Sequence, residues 1–213
     1  MDAIVETALR ILDADGLDGL SMRRVAEELD TGAASLYWHV GSKDGLLDLV
    51  FDHVIGEQEL PEPQGARWKE QIKQVARAHR QAILRHRDLI AISLGRVPMG
   101  PNALRYSEGV LAILRAGGVP DRLAVTGFLL LIPTVNGFTL DEVSGPQPSS
   151  QEASGAPSAD AVAGYMATLP VHQFPNLTAV AAHFGDDDPD QRFELLIDLF
   201  VEGLAQRAAI GTD

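Results

Sequence analysis

Cysteine is absent from this chain of 213 residues, which excludes disulfides, thiolate metal ligands and a cysteine nucleophile. Basic residues are scarce too: 17 lysines and arginines stand against 30 aspartates and glutamates, a formal net charge of −13. A generic nucleic-acid binder carries a basic excess, so any contact with DNA must come from a small local patch. Strand-like alternation and repeats of solenoid length are also missing. The opening "MDAIVETALRIL" has acids where an export signal needs basic residues, so a cytoplasmic location is expected. The run from Leu123 to Leu140 carries no charge and approaches a minimal membrane span in length. It contains Pro133, Asn136, two glycines and three threonines, so a buried helix is expected there and no membrane association. Hydrophobic residues at 46% and charged residues at 22% suffice for a sizeable folded core.

Helical periodicity runs through the chain. Ile4, Val5, Ala8, Leu9, Ile11 and Leu12 form one stripe that Gly16 should end. Ser21 is placed to cap a second helix carrying Met22, Val25, Ala26 and Leu29 at i, i+3, i+4 and i+7. "DTG", Asp30 to Gly32, breaks it, and a short helix from about Ala33 to Val40 follows. Ser42 can cap the next, whose Leu46, Leu47, Val50, Phe51, Val54 and Ile55 face one way. Pro61, Pro63 and Gly65 mark a boundary between residues 1–57 and 65–213. Beyond it the spacing predicts helices to about His86, on to Gly95, from Ala103 to Ala116, and then the uncharged run. "SGPQPSSQEASGAPSAD" reads as a mobile loop. Helices near Ala159–Leu169 and Leu177–Phe184, an acidic turn "GDDDPD" and a final apolar helix complete an all-α fold.

The stretch "SLYWHVGSKDGLL", Ser35 to Leu47, gathers three rings on a helix of two turns. Two helices of about eight residues joined by "DTG" and backed by a third make a helix-turn-helix. With Leu36 and Val40 inward, Ala34, Ser35 and Trp38 turn outward, and Tyr37 and His39 stand on the flanks. Small residues allow close approach to a major groove, a hydroxyl can bond base edges or phosphates, and aromatic groups can touch thymine methyls. The competing reading is that Tyr37 and Trp38 staple the helix to its neighbours.

"GLSMRRVAEELDTGAASLYWHVGSKDGLLDLV" resembles the DNA-binding signature of the TetR family of transcriptional regulators, in the form found in the tetracycline-repressor branch. The match covers about 45 N-terminal residues and extends more weakly through "ILRHRD", "LGRVP", "NGFTL" and "RFELLIDLFVEGL". The resemblance implies a cytoplasmic homodimer with N-terminal helix-turn-helix heads, a C-terminal ligand-binding and dimerisation domain, and a palindromic double-stranded operator. Carried onto this sequence, Arg23 reaches a base or phosphate, and Ser35, Tyr37 and Trp38 face DNA. His39 and Lys43 hold phosphates, Lys43 from a helix N-terminus whose N–H groups also attract anions. Members often carry a basic arm before the first helix, whereas this sequence starts directly in it. Ala33 and Ala34 leave few hydrogen-bonding groups, so DNA shape should share in the readout.

The same resemblance places His79, Ile83, Ser93, Arg96, Met99, Tyr106, Phe128, Asn136 and Phe138 in segments that line an effector cavity. Tetracycline repressors hold a magnesium–drug chelate with a His just before the "LG" matched by Leu94–Gly95, where this chain has Ser93. The glutamate and amide expected near Gly145 and Val75 are missing too. A metal-independent apolar or aromatic effector, with no cofactor, is therefore expected, since Mg²⁺ requires ordered oxygen donors. Phe128 on the uncharged helix and Phe193, Leu196, Ile197, Phe200 and Leu204 on the last helix form apolar faces wider than a core stripe needs. That excess points to a dimer interface.

An enzyme and a pure interaction module are the rival readings. No H-E-x-x-H or G-x-S-x-G pattern supports catalysis, and an interaction module gives Tyr37, Trp38 and Lys43 no task. Sequence-specific retardation of a palindromic DNA separates the regulator from both.

Overall fold

The structure, a computed structural model, describes residues 1–86, 88–93, 96–144, 158–184 and 188–211. Every regular element among the described residues is helical: α1 Asp2–Gly19, α2 Met22–Glu28, α3 Ala33–Val40, α4 Lys43–Gly56, α5 Trp68–Arg85, α6 Leu89–Ser93, α7 Pro101–Ala116, α8 Asp121–Ser144, α9 Ala159–Ala167, α10 Pro175–Val180 and α11 Pro189–Ile210. Short 3₁₀ turns cover Gly65–Arg67 and Ala181–Phe184.

Two compact units are present: residues 1–139 with 200–213, and residues 140–199. In the first, the core is built from Ile11, Val25, Leu36, Leu46 and Val50 around the N-terminal helices. It continues through Ile72, Val75, Val110, Ile113 and Leu131 further along the chain. Gly127 on α8 faces Leu204 on α11, where an added Cβ would come within 3.1 Å of a leucine methyl. The second unit contains the end of α8, α9, α10 and the first half of α11.

Several elements differ from expectation for local reasons. Gly16 adopts φ 74°, a left-handed conformation costly for other residues, so it kinks α1 while helical structure resumes to Gly19. Helix α7 starts at Pro101 and not Ala103, because proline suits a first-turn position whose N–H has no partner within the helix. Pro175 does the same for α10, and α9 stops at Ala167. Residues 145–157 of the serine- and proline-rich segment and residues 185–187, half of the acidic turn, lie outside the described residues, while Ser158 caps α9. Asp188 is described, and its carboxylate accepts from the backbone N–H of Asp190 at 2.9 Å.

The expectation of a buried uncharged helix needs correction. Only 28% of the apolar window in α8 is buried, although its length and composition would suit a membrane span. Ala124, Leu131, Val135 and Thr139 face inward, while Val125, Leu129, Leu130 and Leu140 are exposed. The last helix differs in the opposite sense: Phe193, Ile197 and Leu204, expected at a dimer face, are buried within the chain itself. Leu196 and Phe200 are half-buried, and Leu195 and Leu199 are the exposed leucines of α11.

Candidate DNA-reading face and effector cavity

Helices α2 and α3 are set by their ends. The Ser21 hydroxyl accepts from the Arg24 N–H at 3.2 Å and starts α2. Asp30, at φ 49°, then turns the chain in a conformation that aspartate tolerates better than most residues. Gly41, at φ 75°, ends α3, and the Ser42 hydroxyl accepts from Gly45 N–H at 3.0 Å to start α4. Between these stops, Leu36 and Val40 are buried, whereas Ala34, Ser35, Tyr37, Trp38 and His39 are exposed. Trp38 is 82% exposed, which leaves it no stapling role within the chain. Its ring meets His39 edge to face, with centroids 4.8 Å apart.

The cations of this region are mostly occupied. Arg10 pairs with Glu28 at 2.7 Å and Arg23 with Glu27 at 2.8 Å, while Arg24 pairs with Asp15 and, at 3.5 Å, with Glu28. Hydrogen bonds donated to the Glu27 and Asp15 carboxylates raise the Arg23 and Arg24 guanidinium pKa values further above their ordinary level. The Lys43 ammonium donates to the Leu17 carbonyl at 3.4 Å; among the described residues it has no carboxylate partner.

A cavity of about 350 Å³ lies in the first unit. His79, Ser93, Arg96, Tyr106, Phe128 and Asn136 line it, together with Phe51 and Ile55 of α4, Val97, Pro98, Ala103, Ser107, Leu129, Ile132 and Pro133. Ile83 lines a neighbouring void of about 10 Å³. Met99, 68% exposed, and Phe138, whose ring lies 5.8 Å from the Arg80 guanidinium, are not among the lining residues. Phe128, Ile132 and Asn136 recur every four residues on α8, a spacing that could have added Leu129 and Ile132 to the expected set. The α4 contribution has no such sequence signal.

Of the polar residues in the wall, His79 and Tyr106 are buried, and Ser93, Arg96, Ser107 and Asn136 are half-buried. His79 Nε2 lies 2.9 Å from Asn136 Oδ1, and its Nδ1 lies 3.3 Å from Gln58 Oε1. The buried Gln58 amide nitrogen and the buried Tyr106 hydroxyl have no hydrogen-bond partner among the described residues. Burial lowers the His79 pKa from 6.5, with the Asn136 hydrogen bond opposing the shift. Burial also raises the Tyr106 phenol well above its ordinary value, so it stays a neutral donor. Because folded His79 resists protonation more than the unfolded residue, the unfolded state binds the extra proton first. Its contribution to stability is therefore complete above about pH 6.5 and falls below it by at most about 1.4 kcal/mol per pH unit. That fall ends once the pH has passed below the folded pKa. Urea unfolding of wild type and His79→Gln between pH 5 and 8 checks this: the difference in slope should appear only below about pH 6.5.

Four side chains, Arg96, Asp52, Asp88 and His86, join the segments around this wall to the N-terminal helices. Arg96 pairs with Asp44 at 2.6 Å and with Asp48, both on α4. Asp52, also on α4, accepts from the backbone N–H groups of Asn102 and Ala103 at 3.3 and 2.9 Å. Asp88 accepts from Leu17 N–H at 2.9 Å, beside the α1 kink, and His86 Nδ1 lies 2.8 Å from Asp13.

A helix-turn-helix with an exposed reading face, fixed to a helical body with an apolar cavity, defines a class of one-component regulators. Comparison with known proteins gives the family. Residues 4–50 match the profile described as bacterial regulatory proteins, tetR family, and residues 60–208 match tetracyclin repressor-like, C-terminal domain. The chain belongs to the TetR family. It is 44% identical over 117 residues to an HTH-type transcriptional regulator of Saccharopolyspora erythraea, covering 55% of this chain and 50% of that protein. It is 39% identical over 132 residues to the HTH-type transcriptional repressor DrrR1 of Streptomyces coeruleorubidus, covering 62% and 49%. The chain thus matches about half the length of these two curated relatives. Among solved structures, apo ActR of Streptomyces coelicolor aligns with a TM-score of 0.88 at 45% identity, covering 99% of this chain and 97% of ActR.

Proposed function

We propose that this chain is a cytoplasmic, ligand-responsive repressor that binds a palindromic operator as a homodimer and is released by a small apolar or aromatic effector. Exposure of Trp38 on a helix otherwise pinned by Leu36 and Val40 carries the DNA-binding half. The effector half rests on the apolar cavity, and ActR, a structural neighbour at 48% identity, has been crystallised in complex with actinorhodin. Residues 1–57 serve as the reading head and 65–213 as the effector and dimer part. Within these, Arg23, Ala34, Ser35, Tyr37, Trp38, His39 and Lys43 contact DNA.

Two reading heads must stand roughly 34–36 Å apart to meet successive major grooves. Phe51 and Ile55 put α4 in the cavity wall, and Arg96 and Asp52 tie the same helix to flanking wall segments. An effector that fits the cavity better when α4 has swung stabilises the swung form, because a ligand shifts an equilibrium only by its differential affinity. The exposed leucines of α8 and those of α11, and Phe128, Leu196 and Phe200, each offer apolar surface for pairing with a second copy.

Selection of bound DNA from a random pool, then retardation of the selected duplex and its release by effector, tests this reading; a pool that yields no consensus counts against it. The salt dependence has a definite expectation. With three arginines of the head already paired and Lys43 alone without an acid, fewer than eight phosphates should be neutralised per dimer. A plot of log K against log salt should be shallower than about −7, and a steeper slope contradicts that charge inventory.

A further inference from the structure

We infer that the cavity selects effectors bearing a carbonyl oxygen, placed to accept hydrogen bonds from both Tyr106 and Asn136. This deepens the effector reading above and rests on the cavity being the effector site.

The inference follows from counting donors. Tyr106 lines the cavity, and its hydroxyl is buried with no partner among the described residues. A buried donor without an acceptor is costly, and a native structure seldom tolerates it unless something else supplies the oxygen. Asn136 gives the second donor by a longer route. Its Oδ1 faces His79 Nε2 at 2.9 Å, so Nε2 must carry the imidazole proton. Nδ1 of the neutral ring is then an acceptor, and the group beside it at 3.3 Å is the Gln58 amide. Turning that amide end for end sets its NH₂ against Nδ1 and gives the otherwise unpartnered Gln58 nitrogen its acceptor.

The opposite relay would run from Nδ1–H to Gln58 and from an inverted Asn136 amide to Nε2. It leaves the Gln58 NH₂ orphaned, and a buried N–H without a partner is rarer than an under-used carbonyl. The favoured chain therefore runs from Gln58 to His79 to Asn136, and Asn136, its oxygen committed, offers its NH₂ to the cavity.

Two neutral donors beside an apolar wall suit one sp² oxygen, whose two in-plane lone pairs accept both. The rest of the ligand meets Phe128, Ile132 and Pro133 and needs only an apolar ring system. A hydrocarbon of the same shape would leave both donors empty, which is where discrimination arises.

Fluorene and 9-fluorenone form a probe pair that differs only in the carbonyl. Their dissociation constants, measured by equilibrium dialysis on the full chain without DNA, are expected to favour fluorenone by about tenfold or more. Tyr106→Phe, which deletes only the hydroxyl, should weaken fluorenone about five- to tenfold and leave fluorene unchanged. Asn136→Ala should also act on fluorenone more than on fluorene, with thermal melting confirming that both variants are folded. Equal affinity for the two probes, no binding of either up to its solubility, or equal losses for both in Tyr106→Phe overturns the inference. DNA retardation of the ligand-free protein is independent of these results, so failure of the carbonyl rule and failure of the regulator reading are distinguishable.

Discussion

Trp38→Ala is expected to weaken binding of the selected operator by about 30- to 1,000-fold while leaving thermal stability within about 0.5 kcal/mol of wild type. The two halves of that expectation have separate causes. Trp38 is 82% exposed, so its removal opens no cavity in the chain. Each dimer would carry two copies into the grooves, so one substitution removes two contacts, each taken at about 1–2 kcal/mol, the lower part of the range for a base contact. Leu36, two residues earlier, is 1% exposed and packs inward from the same helix. Leu36→Ala should cost about 2–5 kcal/mol of stability and lose DNA binding through loss of the folded head. Measuring retardation and melting on both variants separates reading from scaffolding. Wild-type affinity in Trp38→Ala, or a melting loss like that of Leu36→Ala, would remove Trp38 from the reading face.

The contrast between these neighbours was legible in the sequence because both ends of α3 are written locally. Gly32, Gly41 and Ser42 confine the helix to Ala33–Val40, and a helix that short has one inward stripe. The cavity was less legible. A family resemblance assigns segments, but successive helical residues turn by about 100°. Phe138 stands two positions past Asn136 and so lies on another side of α8, away from the cavity wall. Met99 lies beside the lining residues Val97 and Pro98 in a loop, where no periodicity fixes direction. Phe51 and Ile55 belong to the apolar stripe of α4 and read as ordinary core; only tertiary packing makes them cavity wall. The apolar excess of α8 and α11 was visible in composition, yet the burial of Phe193 and Ile197 beside exposed Leu195 and Leu199 depends on how each helix is rotated.

Asp52→Ala is expected to cost about 2–4 kcal/mol of stability and to blunt release of DNA by effector. Helix α7 begins at Pro101 with Gly100 before it, so it has no side-chain cap of its own. Its first N–H groups are met from another helix: the Asp52 carboxylate of α4 takes those of Asn102 and Ala103. A carboxylate there also complements the positive end of the helix dipole. Alanine strands both donors in a site where Asp52 is only 9% exposed and Ala103 2%. Asn keeps one acceptor and should lose roughly half as much. Gly100→Ala attacks the same junction by sterics, since a Cβ at Gly100 would collide with the Asp52 carboxylate. Urea unfolding gives the stability of all three variants. The dose of effector needed to release operator should rise in those that remain folded, because α4 then moves with less reference to a wall that includes Ala103, Tyr106 and Ser107. An Asp52→Ala protein within 0.5 kcal/mol of wild type, releasing DNA at the same dose, would show that α4 is held to the body by its apolar face alone.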